Sequence, residues 1–132
     1  MILIDTSVVL DLLLDDPRWG SWSQAQLETL SATEQFAIND IVYTEASIGF
    51  QEIDALDAAL ASLGLQMVQM PREALFRAGK AFRKYKSRDG VKTGPLPDFF
   101  IGAHAAAEGW PLLTRDAARI RSYFPSVTPI AP

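Results

Sequence analysis

The chain has 132 residues, with sixteen acidic against twelve basic side chains and a formal net charge of −4. That length suits one domain, residues 1–132, with a sizeable core, and a 48% hydrophobic content excludes a disordered chain. The absence of cysteine excludes a disulfide framework and a thiolate metal site, and it fits a reducing cytoplasm.

In chain order, "MILID" is a short apolar run that reads as a buried strand, and "TSVVLDLLL" follows with helical spacing. Asp5 and Asp11 interrupt this apolar start and no basic segment precedes it, so it reads as structure and not as a signal peptide. Val8, Val9, Leu12 and Leu13 share one side of the first helix, and Thr6 or Ser7 can cap it. "PRWGSWS" reads as a loop, "SQAQLETLSA" as a helix with Ala25, Leu27 and Leu30 partly inward, and "QFAI" as a second strand. Asn39 or Asp40 then caps a helix through "IVYTEASIGF".

"EIDALDAALASLG" is an amphipathic helix with Ile53, Leu56, Leu60 and Leu63 on one face and Gly64 as its stop. "LQMVQM" reads as a third strand, and "PREALFRAGKAFRKYK" as a helix with Ala74, Ala78, Ala81 and Phe82 inward. "SRDGVKTGP" is a basic loop, and "PDFFIGAHAAAEG" a helix that Pro97 opens and Gly109 ends. "WPLLT", "DAARIRSYF" and "VTPI" complete the chain as a strand, a helix and an edge strand. No apolar stretch is long enough to span a bilayer. Strands alternating with helices imply an α/β fold, a parallel sheet covered on both faces, whose sites form outside the carboxyl ends of the strands.

Four acids fall at or near that edge. Asp5 ends the first strand, Glu45 lies inside the helix after the second, Asp98 opens the helix before the fourth, and Asp116 follows the fourth. Asp5, Asp98 and Asp116 each also fit an ordinary helix-start position, where a carboxylate is favoured. Glu45 does not, because it sits mid-helix in an apolar setting where an unpaired charge is costly. Four carboxylates at one edge repel one another and raise some of their pKa values. A divalent cation relieves that repulsion, and all-oxygen ligands suit Mg²⁺ or Mn²⁺.

The segments "LIDTSVVLDLL", "IVYTEASIGF", "PLPDFFIGAHA" and "LLTRD" resemble the four acidic segments of PIN-domain ribonucleases. More narrowly, they resemble the VapC toxins of type II toxin–antitoxin systems, from Met1 to about Phe124. The resemblance implies a three-layer α/β/α sandwich and a Mg²⁺- or Mn²⁺-dependent endoribonuclease that hydrolyses RNA phosphodiesters with a cation-activated water. It also implies a homodimer and a small VapB-like antitoxin partner. Carried onto this sequence, the metal-binding and catalytic acids are Asp5, Glu45, Asp98 and Asp116. Thr114 matches the family's hydroxyl two residues before the last acid, and Ser7 either assists near Asp5 or caps a helix.

Other residues bear on the same reading. His104 stands six residues after Asp98, on a different helix face, and reads as structural. Trp19, Trp22 and Trp110 read as packing residues. Residues 1–71 hold eleven acids and one basic residue, Arg18, while residues 72–132 hold eleven basic residues and five acids. Lys84, Lys86, Arg88 and Lys92 belong to that basic half and fit either phosphate contact or a solvated face. The acidic half and the apolar faces of the helices at 7–14 and 41–63 would suit a basic antitoxin segment and a partner helix. Two other functions compete. One is a free-standing PIN-type RNA-processing nuclease. The other is a non-enzymatic or phosphoacceptor α/β domain, which would want an acid pair after the first strand and a lysine after the last.

Overall fold

Ile2, Leu3 and Ile4 are almost wholly inaccessible to solvent, as are Ala37, Ile38, Leu112 and Leu113. Such continuous apolar runs mark strands covered on both faces. The computed structural model of the chain describes residues 1–89 and 96–132. Its strands are β1 (Ile2–Ile4), β2 (Phe36–Ile38), β3 (Leu65–Met67), β4 (Leu112–Leu113) and β5 (Pro129–Ile130). All pair in parallel, in the order β3-β2-β1-β4-β5. Leu3 lies opposite both Ala37 of β2 and Leu112 of β4.

Among the described residues the helices are α1 (Thr6–Leu13), α2 (Gly20–Leu30), α3 (Asp40–Ser47), α4 (Ile53–Ser62), α5 (Arg72–Asp89), α6 (Leu96–Glu108) and α7 (Ala117–Tyr123). With the sheet they form an α/β/α sandwich. From β1 to β3 the chain steps one way along the sheet, and from β4 to β5 it steps the other way. Right-handed crossovers of the two sets therefore lie on opposite faces. The order reverses between β1 and β4, which makes their carboxyl ends the crevice of the sheet. A phosphoacceptor receiver has the order 2-1-3-4-5, so the observed order argues against that reading.

Local details depart from the sequence expectations in instructive ways. Neither Thr6 nor Ser7 caps α1, because both hydroxyls are drawn to acids instead. Asn39 caps α3, its Oδ1 accepting from the Ile41 and Val42 amides. α2 begins three residues early, at Gly20, and α5 runs three residues past Lys86. Ala25 and Ile53 are not part of the buried core, so α2 and α4 anchor through Leu27, Leu56 and Leu60. Gly64 and Gly109 end their helices with φ of 73° and 71°, a conformation that glycine takes without a Cβ clash.

α5, α6 and α7 join through an aromatic cluster centred on Phe99, whose ring meets Phe82, Tyr85, Tyr123 and Phe124. No helix among the described residues is long and apolar enough to cross a membrane.

Candidate functional site

The strand ladders carry the first acid and its hydroxyl partner directly into the crevice. The Asp5 amide donates to the Leu113 carbonyl (2.9 Å), and the Thr114 amide donates to the Ile130 carbonyl (3.0 Å). Both residues are thus fixed by backbone just past the ends of β1 and β4. The buried Thr114 hydroxyl donates to Asp5 Oδ2 at 2.6 Å, and Ser7 Oγ donates to the same oxygen at 3.2 Å. Thr114 Oγ1 also accepts from the Asp116 amide at 3.1 Å. One threonine hydroxyl therefore spans the two acids.

Burial pushes the Asp5 carboxyl above its ordinary pKa, and the charge of Asp98 pushes it further. The hydrogen bonds from Thr114, Ser7 and the Thr6 backbone oppose that rise without cancelling it. Asp98 sits in the first turn of α6, where the helix dipole favours a carboxylate. Its Oδ2 accepts from Arg119 Nη1 at 2.7 Å. Asp5, Asp98, Thr114, Asp116 and Arg119 line a pocket of about 20 Å³ over an apolar floor of Ile101, Leu112 and Ile120. That is roughly the room needed for one water or one ion.

The structure thus gathers Asp5, Asp98, Asp116 and Thr114 around one pocket. Glu45 stands apart from that lining. It accepts a hydrogen bond from Thr6 Oγ1 at 2.6 Å, and Thr6 follows Asp5 directly in the chain. Half-buried in α3, Glu45 is satisfied by a hydroxyl where the sequence suggested an unpaired charge. Among the described residues no three carboxylate or imidazole side chains form a ready-made metal cage. The donor chemistry still fits Mg²⁺ or Mn²⁺: all ligands are oxygens, and the Asp5 carboxyl is held up by burial and a neighbouring charge. Mg²⁺ in particular takes one or two carboxylates and fills its other positions with water and phosphate oxygens.

His104 is buried in α6, with Nδ1 3.2 Å from the Asn39 amide nitrogen and its ring against Trp110. Burial lowers its pKa. It ties α6 to the residue that caps α3, the structural role its position suggested. Lys84, Lys86 and Arg88 are exposed on α5, with Lys86 over the Phe82 ring and Arg88 over the Tyr123 ring. Lys92 lies outside the described residues.

Sequence reasoning missed two arginines. Arg119 enters the acid pocket, and its signal was the spacing Asp116-x-x-Arg119, which puts both at one end of α7. Arg115 reaches the other way. Its Nε lies 3.0 Å from the buried Asp11 carboxylate, an ion pair without hydrogen-bond alignment. Asp11 also accepts from Ser23 Oγ at 2.9 Å, and the Arg115 guanidinium lies over the Trp19 ring. This partly buried cluster braces the turn that carries Thr114 and Asp116 against α1 and α2.

The fold has well-defined relatives. VapBC2 from Rickettsia felis, bound to a DNA fragment from their promoter, superposes with a TM-score of 0.74 at 21% identity, over 99% of this chain and 98% of that one. A toxin–antitoxin complex from Klebsiella pneumoniae gives 0.63 at 22% identity, over 97% and 96%. Mycobacterium tuberculosis VapC20, a sarcin-ricin loop cleaving toxin, gives 0.60 at 16% identity, over 98% and 100%. No curated protein sequence matches the chain. The PIN domain family model matches residues 2–123, a span that runs from β1 through α7 and includes every acid of the crevice. This chain belongs to the PIN domain family.

Proposed function

We propose that this PIN domain protein is a metal-dependent endoribonuclease and the toxin of a toxin–antitoxin pair. The observation that carries the reading is the acid pair at the sheet crevice: half-buried Asp5, its carboxyl pKa raised by desolvation and by Asp98, with Thr114 and Asp116 around the same pocket. Three carboxylates gathered around one arginine leave the pocket net negative, an arrangement that marks functional sites more often than structural ones. The toxin reading is supported by likeness to a toxin–antitoxin complex and to a toxin that cleaves the sarcin-ricin loop.

Asp5, Asp98 and Asp116 would hold Mg²⁺ or Mn²⁺, with Glu45 one shell further out through Thr6. When bound, such a cation offsets charge on a phosphoryl oxygen and makes a water more acidic. The chain's own residues do the positioning. Thr114 and Ser7 both bond Asp5 Oδ2 and so fix the carboxylate's rotation without using Oδ1. Thr114 at the same time holds the Asp116 backbone, so the two acids keep one spacing. The apolar floor of Ile101, Leu112 and Ile120 lowers the local dielectric and strengthens every charge contact above it. Exposed Lys84, Lys86 and Arg88 supply sequence-independent attraction for the RNA backbone.

For the antitoxin, α1 offers little, since Val8 and Val9 are buried. Leu14, Ile48 and Ile53 are instead 71%, 85% and 67% exposed. Ile53 borders a groove with Tyr43, Phe50 and Leu56 between α3 and α4, a place for a partner's apolar helix face. An arginine of the same partner would meet the acid pocket. Leu75 and Phe76, exposed on α5, offer a separate apolar surface for a homodimer. Cleavage of RNA by the purified chain in Mg²⁺, lost in excess chelator and lost again when an antitoxin encoded next to this chain is co-expressed, is the expected result. Cleavage that survived chelator would remove the metal mechanism. Activity unaffected by the neighbour would leave a free-standing PIN nuclease.

A further inference from the structure

Every acid around the pocket repels the polyanion the site is proposed to cut. Among the described residues one cation lines that pocket, Arg119. It reaches in from α7 one turn after Asp116, and a single guanidinium nitrogen, Nη1, touches Asp98 Oδ2 at 2.7 Å. Resting on the nuclease reading above, we propose that Arg119 is a phosphate-binding residue held in reserve by Asp98. It leaves the carboxylate when a divalent cation takes Asp98, and turns to the scissile phosphate.

Four features carry this. The contact is made through one of five N–H donors, not as the two-pronged fork that marks a permanent Arg–carboxylate pair. Both partners are partly open to solvent, the Arg119 side chain 33% and Asp98 45% exposed, so the pair is weak and exchangeable. The planar guanidinium matches the paired oxygens of a phosphate, which a lysine in the same place would meet only as a point charge. The two charges also compete for Asp98, since a bound cation weakens the hold of a second positive group on the same carboxylate. Metal loading and phosphate capture are thereby coupled through one side chain: the arginine is released more readily when the site is ready for substrate.

The test compares wild-type protein with Arg119→Ala and Arg119→Lys, using Mn²⁺ alone by calorimetry and an RNA oligonucleotide under saturating conditions. Arg119→Ala should bind Mn²⁺ more tightly, by roughly fivefold or more, because a competitor for Asp98 is gone. Its kcat should fall by about a hundredfold, the loss typical of one charge-stabilising donor, and Arg119→Lys should recover part of it. In an Asp98→Asn background, removing Arg119 should leave Mn²⁺ affinity unchanged. Mn²⁺ affinity that stays the same or weakens in Arg119→Ala would overturn the exchange and make Arg119 a brace for Asp98. Full activity of Arg119→Ala would overturn the phosphate role. If the wild-type protein cleaved no RNA, the nuclease reading and the phosphate role would fall with it, while the Mn²⁺ comparison would still decide the exchange.

Discussion

Asp5 is the side chain whose surroundings conflict most. Its two hydroxyl partners favour the charged form, while burial and Asp98 disfavour it, and burial wins. The folded pKa is raised above the unfolded value of about 3.9, so the folded state keeps this proton to higher pH than the unfolded chain does. The stability it contributes is present in full below the unfolded pKa and is lost as pH rises through the folded one. Asp5→Asn removes that loss. Without metal, its melting temperature should exceed that of the wild type, by a margin that grows from acid toward neutral pH. A margin constant with pH, measured by calorimetry, would mean Asp5 titrates normally. In sequence, Asp5 was legible as the end of an apolar strand. That two hydroxyls would converge on it was not: Thr114 lies 109 positions away in the chain, and helix capping by Ser7 was an equal reading.

Gly102 is where α6 meets α7. A Cβ there would lie 2.5 and 2.6 Å from two Phe124 ring atoms and 3.2 Å from Ile120 Cδ1. Phe124 is itself packed against Phe99, so the ring has little room to move. Gly102→Ala should destabilise the protein by about 1–3 kcal/mol, readable as a lower denaturant midpoint with an unchanged m-value. A neutral result would show that the aromatic cluster relaxes freely. α5 carries a prediction of another kind. Replacing Lys84, Lys86 and Arg88 together by Ala should weaken RNA binding and flatten its salt dependence, by about 0.7 in log–log slope for each single-strand phosphate that is no longer neutralised. An unchanged slope would identify these as a solvated face. Helix cores such as Leu56 and Leu60 were readable from 3.6-residue periodicity. Boundaries were less so: α2 starts as early as Gly20 and α5 runs on to Asp89, past the ends the pattern marks. The reversal of the sheet between β1 and β4, which decides where a site can form, is a pairing of distant segments that no local pattern records.

At the scale of the whole molecule, the acid crevice and the exposed apolar groove between α3 and α4 are separate surfaces that one partner would have to cover together. Ile48→Asp with Ile53→Asp should abolish co-purification with the antitoxin and leave RNA cleavage by the free chain intact. Retention of the complex would place the partner elsewhere. The alternation of strands and helices made the fold class legible early, since the apolar runs of β1, β2 and β4 are uninterrupted and Asn39, Gly64 and Gly109 mark helix ends. The acids were legible as a set, but Arg119 was not, because an arginine on a short amphipathic helix is ordinarily solvated. The central claim is that the crevice acids bind a divalent cation in order to cut RNA. It is tested most directly by the initial rate of RNA cleavage against Mg²⁺ concentration, measured for wild-type and Asp98→Asn proteins of matched fold by circular dichroism. The expected result is saturable Mg²⁺ activation of the wild type and a loss of at least about a hundredfold in the variant. Equal rates, or a wild-type rate indifferent to Mg²⁺, would contradict it.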